Sequence, residues 1–178
     1  MTTQILIAGF GGQGVLFAGK FLAYKGLMED LQVSWLPSYG PEMRGGAANC
    51  SVIISDEEIG SPIVTAPDVL IALNLPSFDK FEPAIVPGGL LIADSTLIAK
   101  ESTRTDIKIC RIPATGIAAE NKLEGFANVI VLGQLLKQTG IFAYDEFLDL
   151  MIKGIPAAKS ALIEKNKRAL ELGYQFEA

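Results

Sequence analysis

Gly9-Phe10-Gly11-Gly12-Gln13-Gly14 satisfies G-x-G-x-x-G through Gly9, Gly11 and Gly14. The run follows an apolar strand-like segment, Ile5 to Ala8, and precedes Val15 to Met28, where apolar residues recur at helical spacing. A glycine turn at that junction can turn backbone N–H groups and the positive end of a helix dipole toward a phosphate. The same glycines can equally serve only to permit positive φ and close strand-to-helix packing, and the signature alone does not separate the two readings. Gln32 to Leu36 reads as a second strand, which closes a βαβ unit. In a dinucleotide site, an Asp or Glu for the ribose is expected about 20 residues beyond the fingerprint, near the end of that strand. Here Val33-Ser34-Trp35-Leu36 runs into Pro37, Asp30 comes too early and Glu42 falls in a loop. Binding of NAD or FAD is therefore not expected, while binding of some other phosphate or pyrophosphate group stays open.

A second candidate lies directly after that strand. Pro37 to Gly46 holds two prolines and three glycines, which suit turns and oppose any regular element. In a doubly wound sheet this loop would lie at the same carboxyl edge as the glycine turn, so that both loops line one crevice. Arg44 offers a planar fork for a carboxylate or phosphate, Glu42 an opposite charge, and Tyr39 a hydroxyl or a stacking face. Alternatively, Arg44 and Glu42 pair with each other or with nearby backbone and simply hold the loop. The candidate ligand or interface residues are Gly9, Gly11, Gly12, Gln13, Gly14, Ser38, Tyr39, Glu42, Arg44, Gly45 and Gly46, with no catalytic side chain among them.

The elements that must position these loops alternate along the chain. Ala47 to Ser55 and Ile59 to Val64, separated by an acidic turn, read as a hairpin. Strands are expected at Asp68 to Leu73, Leu90 to Ala93 and Ile107 to Arg111, with a short helix at Ser77 to Ala84. From Ala114 the pattern is helical, near Ala114 to Lys122, Ala127 to Gln138, Tyr144 to Lys153 and Pro156 to Leu172. Strands that are apolar throughout belong in a sheet covered on both faces, so the expected fold is α/β: a three-layer α/β/α sandwich with a mainly parallel, Rossmann-like sheet, in one domain over 1–178.

Composition narrows the function further. The chain has 178 residues, 49% of them hydrophobic, a net charge of -5 and no histidine, which removes the commonest general base and metal ligand. Its mean hydropathy of +0.35 is high, yet its apolar runs fall short of the roughly 18 to 20 residues of a spanning helix. The surplus apolar surface points to a doubly covered core or to contacts with other subunits. Lys and Arg are scattered, which opposes nucleic-acid binding. No targeting segment is evident, so no membrane association and a cytoplasmic location are expected. Cys50 and Cys110 are expected to be buried free thiols.

Taken in order, Gly11-Gly12-Gln13-Gly14, then Ser38-Tyr39-Gly40-Pro41-Glu42-Met43-Arg44-Gly45-Gly46, Ser61-Pro62 and Pro67-Asp68-Val69-Leu70 resemble the gamma subunit of 2-oxoacid:ferredoxin oxidoreductases. Asn128-Val129 with Leu132-Gly133 is similar to a later segment of that family. The resemblance implies a component of an enzyme that oxidatively decarboxylates a 2-oxoacid to an acyl-coenzyme A and passes electrons to ferredoxin. It implies thiamine diphosphate, magnesium and iron-sulfur clusters on partner subunits, with coenzyme A as co-substrate. The chain itself has no G-D-G run for a magnesium-diphosphate site, and its two cysteines cannot supply the four thiolates of a cluster. The wording Gly40-Pro41-Glu42-Met43-Arg44-Gly45-Gly46 resembles the 2-oxoglutarate type more than the pyruvate or indolepyruvate types. Two competing readings are a stand-alone nucleotide-binding or regulatory module built on the glycine turn, and a purely structural subunit with both loops buried in interfaces.

Overall fold

The computed structural model describes residues 1–38 and 47–178. Its strands are β1 (Thr2–Phe10), β2 (Gln32–Ser38), β3 (Ala47–Ser55), β4 (Val69–Ala72), β5 (Leu90–Asp94) and β6 (Lys108–Ile112). The helices are α1 (Val15–Met28), α2 (Leu75–Phe81), α3 (Ala114–Glu120), α4 (Ala127–Thr139), α5 (Tyr144–Lys153) and α6 (Ala161–Gln175). One six-stranded sheet runs in the order β2-β3-β1-β4-β5-β6. β1, β4, β5 and β6 are parallel to one another, whereas β3 is antiparallel to both β1 and β2.

Period-two alternation splits the core between the two faces. Ile5 and Ile7 of β1, Ile71 after them and Ile92 of β5 pack with α1, α4 and the helices behind them. Leu6, Leu70 and Leu91 turn the other way, beneath Phe78 of α2 and Ile85, Ile98 and Ile107 of the connecting segments. β4 and β5 are buried at every position, as expected of parallel strands covered on both sides. Each fully buried Ile or Leu contributes about 1.5–3 kcal/mol, so the α/β/α sandwich expected from the sequence follows from these two apolar layers. One layer is thick, and the other consists of a single short helix with its loops.

The βαβ unit forms in split form, and one expectation is corrected. The strand after α1 does not pair with β1, because β3 is inserted between them; β1 and β2 still run the same way, since each is antiparallel to β3. No strand forms at Ile59 to Val64. Both edges of β3 are already occupied by β1 and β2, which leaves no ladder for a returning strand, and Pro62 lacks the N–H such a strand would donate. The remaining elements shift by a few residues. The short helix begins earlier, at Leu75, because Asn74 Oδ1 caps it by accepting from Ser77 N at 2.8 Å. The last helix begins later, at Ala161, after a 3-10 turn at Ala157–Lys159.

α6 packs on α4 through two glycines. A Cβ on Gly173 would overlap the carbonyl of Ile130, and one on Gly133 would overlap the carbonyl of Leu170. The helix backbones therefore touch where side chains would otherwise hold them apart, which gives Leu132-Gly133 a packing role. α1 is fastened to α5 by Lys25, buried on α1, whose Nζ lies 2.6 Å from Glu29 and 2.8 Å from Glu146.

Candidate functional site at the carboxyl edge

The glycine turn joins β1 to α1 at the carboxyl edge of the sheet. Gly9 is buried at the end of β1, Gly11 and Gly12 are exposed at the tip, and Gln13 and Gly14 are half-buried. Gly12 and Gly14 adopt φ of 94° and 75°, the left-handed region that favours glycine. A Cβ on Gly14 would also run into the side chain of Asn128, whose Nδ2 donates to Gly14 O at 3.2 Å. Close packing at Gly9 and Gly14 and positive φ at Gly12 and Gly14 thus give these glycines a structural role.

Gln13 locks the turn in place. Its Oε1 accepts from Phe10 N at 2.6 Å and its Nε2 donates to Leu73 O at 2.9 Å, just beyond β4. Across the edge, the buried carboxylate of Asp94 at the end of β5 accepts from Thr96 N, Thr115 N and Thr115 Oγ1, at 3.1, 3.1 and 2.5 Å. This bond set fixes the start of α3. Between them lies a crevice of about 260 Å³, lined by Gly12, Gln13, Leu73, Leu97, Thr115 and Glu124 among others. Glu124 is the one charged residue in that lining, so among the described residues the crevice presents no cation to a phosphate. Its walls are mainly apolar, which suits a surface covered by another chain better than a free anion.

The second loop's ends are placed by their strands. Ser38 is exposed at the end of β2 opposite Asn49, and Ala47 opens β3 opposite Phe10. The loop therefore leaves and re-enters the sheet beside the glycine turn, as the shared-edge expectation requires. Tyr39, Glu42, Arg44, Gly45 and Gly46 lie outside the described residues. Asn128, Asp94 and Thr115 were not legible as members of this edge: each acts by a bond between distant residues, and only the Asn128-Val129 segment drew notice, as a resemblance.

The described residues do not fit a metal or an iron-sulfur cluster, for no three His, Cys, Asp or Glu side chains among them come together. Cys50 on β3 and Cys110 on β6 are separated by β1, β4 and β5, a span of about 19 Å at ordinary strand spacing. That is far beyond disulfide reach. Burial pushes the Cys50 thiol up to about 12 and the Cys110 thiol up to about 11. Both are therefore protonated and inert near neutrality. Among the described residues no helix is long and apolar enough to cross a membrane.

This geometry defines a Rossmann-like α/β module whose glycine turn and crevice lie at the carboxyl edge of a mostly parallel sheet. Residues 4–176 match the family described as pyruvate ferredoxin/flavodoxin oxidoreductase, and the chain belongs to that family. It is 41% identical over 175 residues to ketoisovalerate oxidoreductase subunit VorA of Methanothermobacter thermautotrophicus, covering 97% of this chain and 36% of that relative. It is 35% identical over 178 residues to 2-oxoglutarate synthase subunit KorC of Methanocaldococcus jannaschii, covering 98% of this chain and 94% of that relative. The structure aligns with a keto/oxoacid ferredoxin oxidoreductase gamma subunit from Geobacter sulfurreducens at a TM-score of 0.85 and 29% identity, covering 98% of this chain and 95% of that one. The chain thus spans little more than a third of VorA and nearly all of KorC.

Proposed function

We propose that this chain is the gamma subunit of a multi-subunit 2-oxoacid:ferredoxin oxidoreductase, a single domain over 1–178 that is inactive alone. The assembled enzyme converts a 2-oxoacid and coenzyme A to an acyl-coenzyme A and carbon dioxide and passes two electrons to ferredoxin. Thiamine diphosphate, magnesium and the iron-sulfur clusters are held by the partner subunits. The observation that carries this reading is the near full-length likeness to subunits named for such enzymes. The apolar crevice, which presents no cation among the described residues, agrees with it, as a surface made for a neighbouring chain.

Within that reading the glycine turn, Ser38 and the loop from Tyr39 to Gly46 form one face, with Arg44 meeting an anion there. The anion is a phosphate of coenzyme A or a carboxylate of a partner subunit. The substrate is 2-oxoglutarate, supported by the wording of that loop and by the alignment covering 94% of KorC. The higher identity of 41% to VorA favours a second substrate, ketoisovalerate. Purification of the complex from its native source, followed by dye reduction with 2-oxoglutarate, ketoisovalerate and pyruvate, tests the assignment. Activity with 2-oxoglutarate in a complex carrying thiamine diphosphate and clusters is expected. A lone monomer that binds a nucleotide would instead support the regulatory-module reading.

A further inference from the structure

β2 ends the sheet on one side, and its seven residues, Gln32–Ser38, carry no charge. Trp35 and Leu36 on it are 38% and 41% exposed. Long, uncharged edge strands pair readily with another chain. Beside this edge, α1 is apolar on its outer face as well as its inner one. Tyr24, Leu27 and Met28 are exposed there, and Lys20 is the one charged residue on that stripe. A helix that is apolar all round is ordinarily covered all round.

The ladders show which backbone groups of β2 face outward. The carbonyls of Gln4 and Ala8 on β1 accept from Asp68 N and Leu73 N on the β4 side, at 2.9 Å each, so Ile5 and Ile7 turn to β3. They face Val52 and Cys50, which leaves Ser51 and Ile53 to bond β2 at Leu36 and Ser34. Val33, Trp35 and Pro37 therefore point their backbone groups away from the sheet. Val33 and Trp35 each offer a donor and an acceptor, and Pro37 has no donor.

This pattern is complementary to itself. With Ser34 on a two-fold axis, Val33 of each copy faces Trp35 of the other, and each such antiparallel pair exchanges two hydrogen bonds. Pro37 then lies opposite Leu31 of the other copy, whose N–H is already bonded to Gly26 O at 3.1 Å. The new ladder ends where both chains have run out of donors, a coincidence that an unrelated strand need not share. The same axis brings the helices together. Gly26 packs against Val33 and Gly19 against Trp35, so an axis at Ser34 passes α1 between these glycines. Antiparallel copies of α1 then set Lys20 against the stretch from Ala23 to Leu27 of the other, offset from its own twin. We infer that β2 and α1 form a two-fold interface between two copies of this chain, across which the six-stranded sheet continues into its duplicate. No other subunit is needed for it, so the isolated chain shows it.

Sedimentation of the full chain should give a dimer, twice the 19.0 kDa of one copy. Ser34→Cys tests the register, because on the axis its Cα lies about 4.5 Å from that of its twin, within disulfide reach. Mild oxidation should link the two chains, with the buried Cys50 and Cys110 taking no part. Ser38→Cys, on the same face of the strand, should not cross-link, since its twin lies about 27 Å away along the ladder at ordinary strand rise. Ser34→Lys sets two like charges face to face and should dissociate the dimer with circular dichroism unchanged. Should that variant fail to fold, Leu27→Lys, at an exposed position, should dissociate it instead. A monomer at every concentration, a dimer that both lysine substitutions leave intact, or cross-linking through Ser38→Cys as readily as through Ser34→Cys would overturn the proposal. So would a monomer whose assembly with partner subunits these substitutions weaken, because the face would then belong to a different chain.

Discussion

Gln13 and Leu73, 60 residues apart in sequence, are joined by a hydrogen bond from Gln13 Nε2 to the Leu73 carbonyl at 2.9 Å. The bond crosses from the glycine turn to the end of β4, the strand beside β1. Because Gln13 also holds Phe10 N, Gln13→Leu loses both bonds and leaves the Leu73 carbonyl unpaired. The expected loss is about 1–3 kcal/mol, read as a lower urea midpoint with an unchanged slope.

Arg44 carries the functional prediction of the second loop. Arg44→Lys keeps the charge but loses the fork, so it should impair the assembled enzyme nearly as much as Arg44→Ala. Truncating one partner of such a pair costs about 2–5 kcal/mol. A raised KM for coenzyme A with assembly intact would identify a phosphate; weakened assembly would identify a partner carboxylate. An Arg44→Ala complex with wild-type assembly and kinetics would leave the loop a structural role only.

Gly173→Ala places a methyl group into the Ile130 carbonyl, where backbone rather than a flexible side chain must yield. Overpacking of this kind costs about 1–3 kcal/mol, and thermal unfolding should occur several degrees lower. Gly60→Ala, where a Cβ meets nothing within 4 Å, is the matched control and should change little.

The thiols offer a chemical readout. With both pKa values raised by burial, to about 12 and about 11, Cys50 and Cys110 should resist iodoacetamide at pH 8 in the folded chain and react promptly in denaturant. Rapid modification of either thiol under native conditions would show that its side of the sheet opens more readily than the packing implies.

The Lys25–Glu146 pair sets a pH window. The hydrogen bond from Lys25 lowers the Glu146 pKa below its ordinary 4.5, so this contribution is present above that pH and is lost as pH falls through the lowered value. Burial alone would lower the Lys25 pKa, but its bonds to Glu146 and Glu29 outweigh that and raise it above 10.5. That contribution is present below 10.5 and is lost as pH rises through the raised value. The stability gap between wild type and Lys25→Met should be widest between these limits and close at both ends, as followed by urea midpoints across pH.

Much of this was legible in the sequence because it is local. The short apolar run of Ile5 to Ala8, the glycines after it and the helical spacing of Val15 to Met28 each report on neighbours a few residues away. β3 was legible as a strand but not as an insertion, since Ala47 to Ser55 has the same β-favouring composition whichever strands flank it. The apolar residues near Ile59 and Ile63 suggested a partner strand, and only the occupied edges of β3 show why none forms. The Asn128–Gly14 bond spans 114 residues, and nothing at either position announces the other. The glycine signature was the reverse case: easy to find, while what Gly9 and Gly14 must clear, the side chains of Gln13 and Asn128, shows only in three dimensions.

The insertion of β3 also has a mechanical side. The loop from Tyr39 to Gly46 returns into a strand bonded along both edges, with nine consecutive residues in register against β1. A pull on that loop along the strand direction loads these bonds in shear, all together, rather than peeling them one by one from an exposed edge. The glycine turn shares the load, because Phe10 is the last rung of the same ladder, opposite Ala47. Whatever seizes one loop therefore tugs on the other through the middle of the sheet.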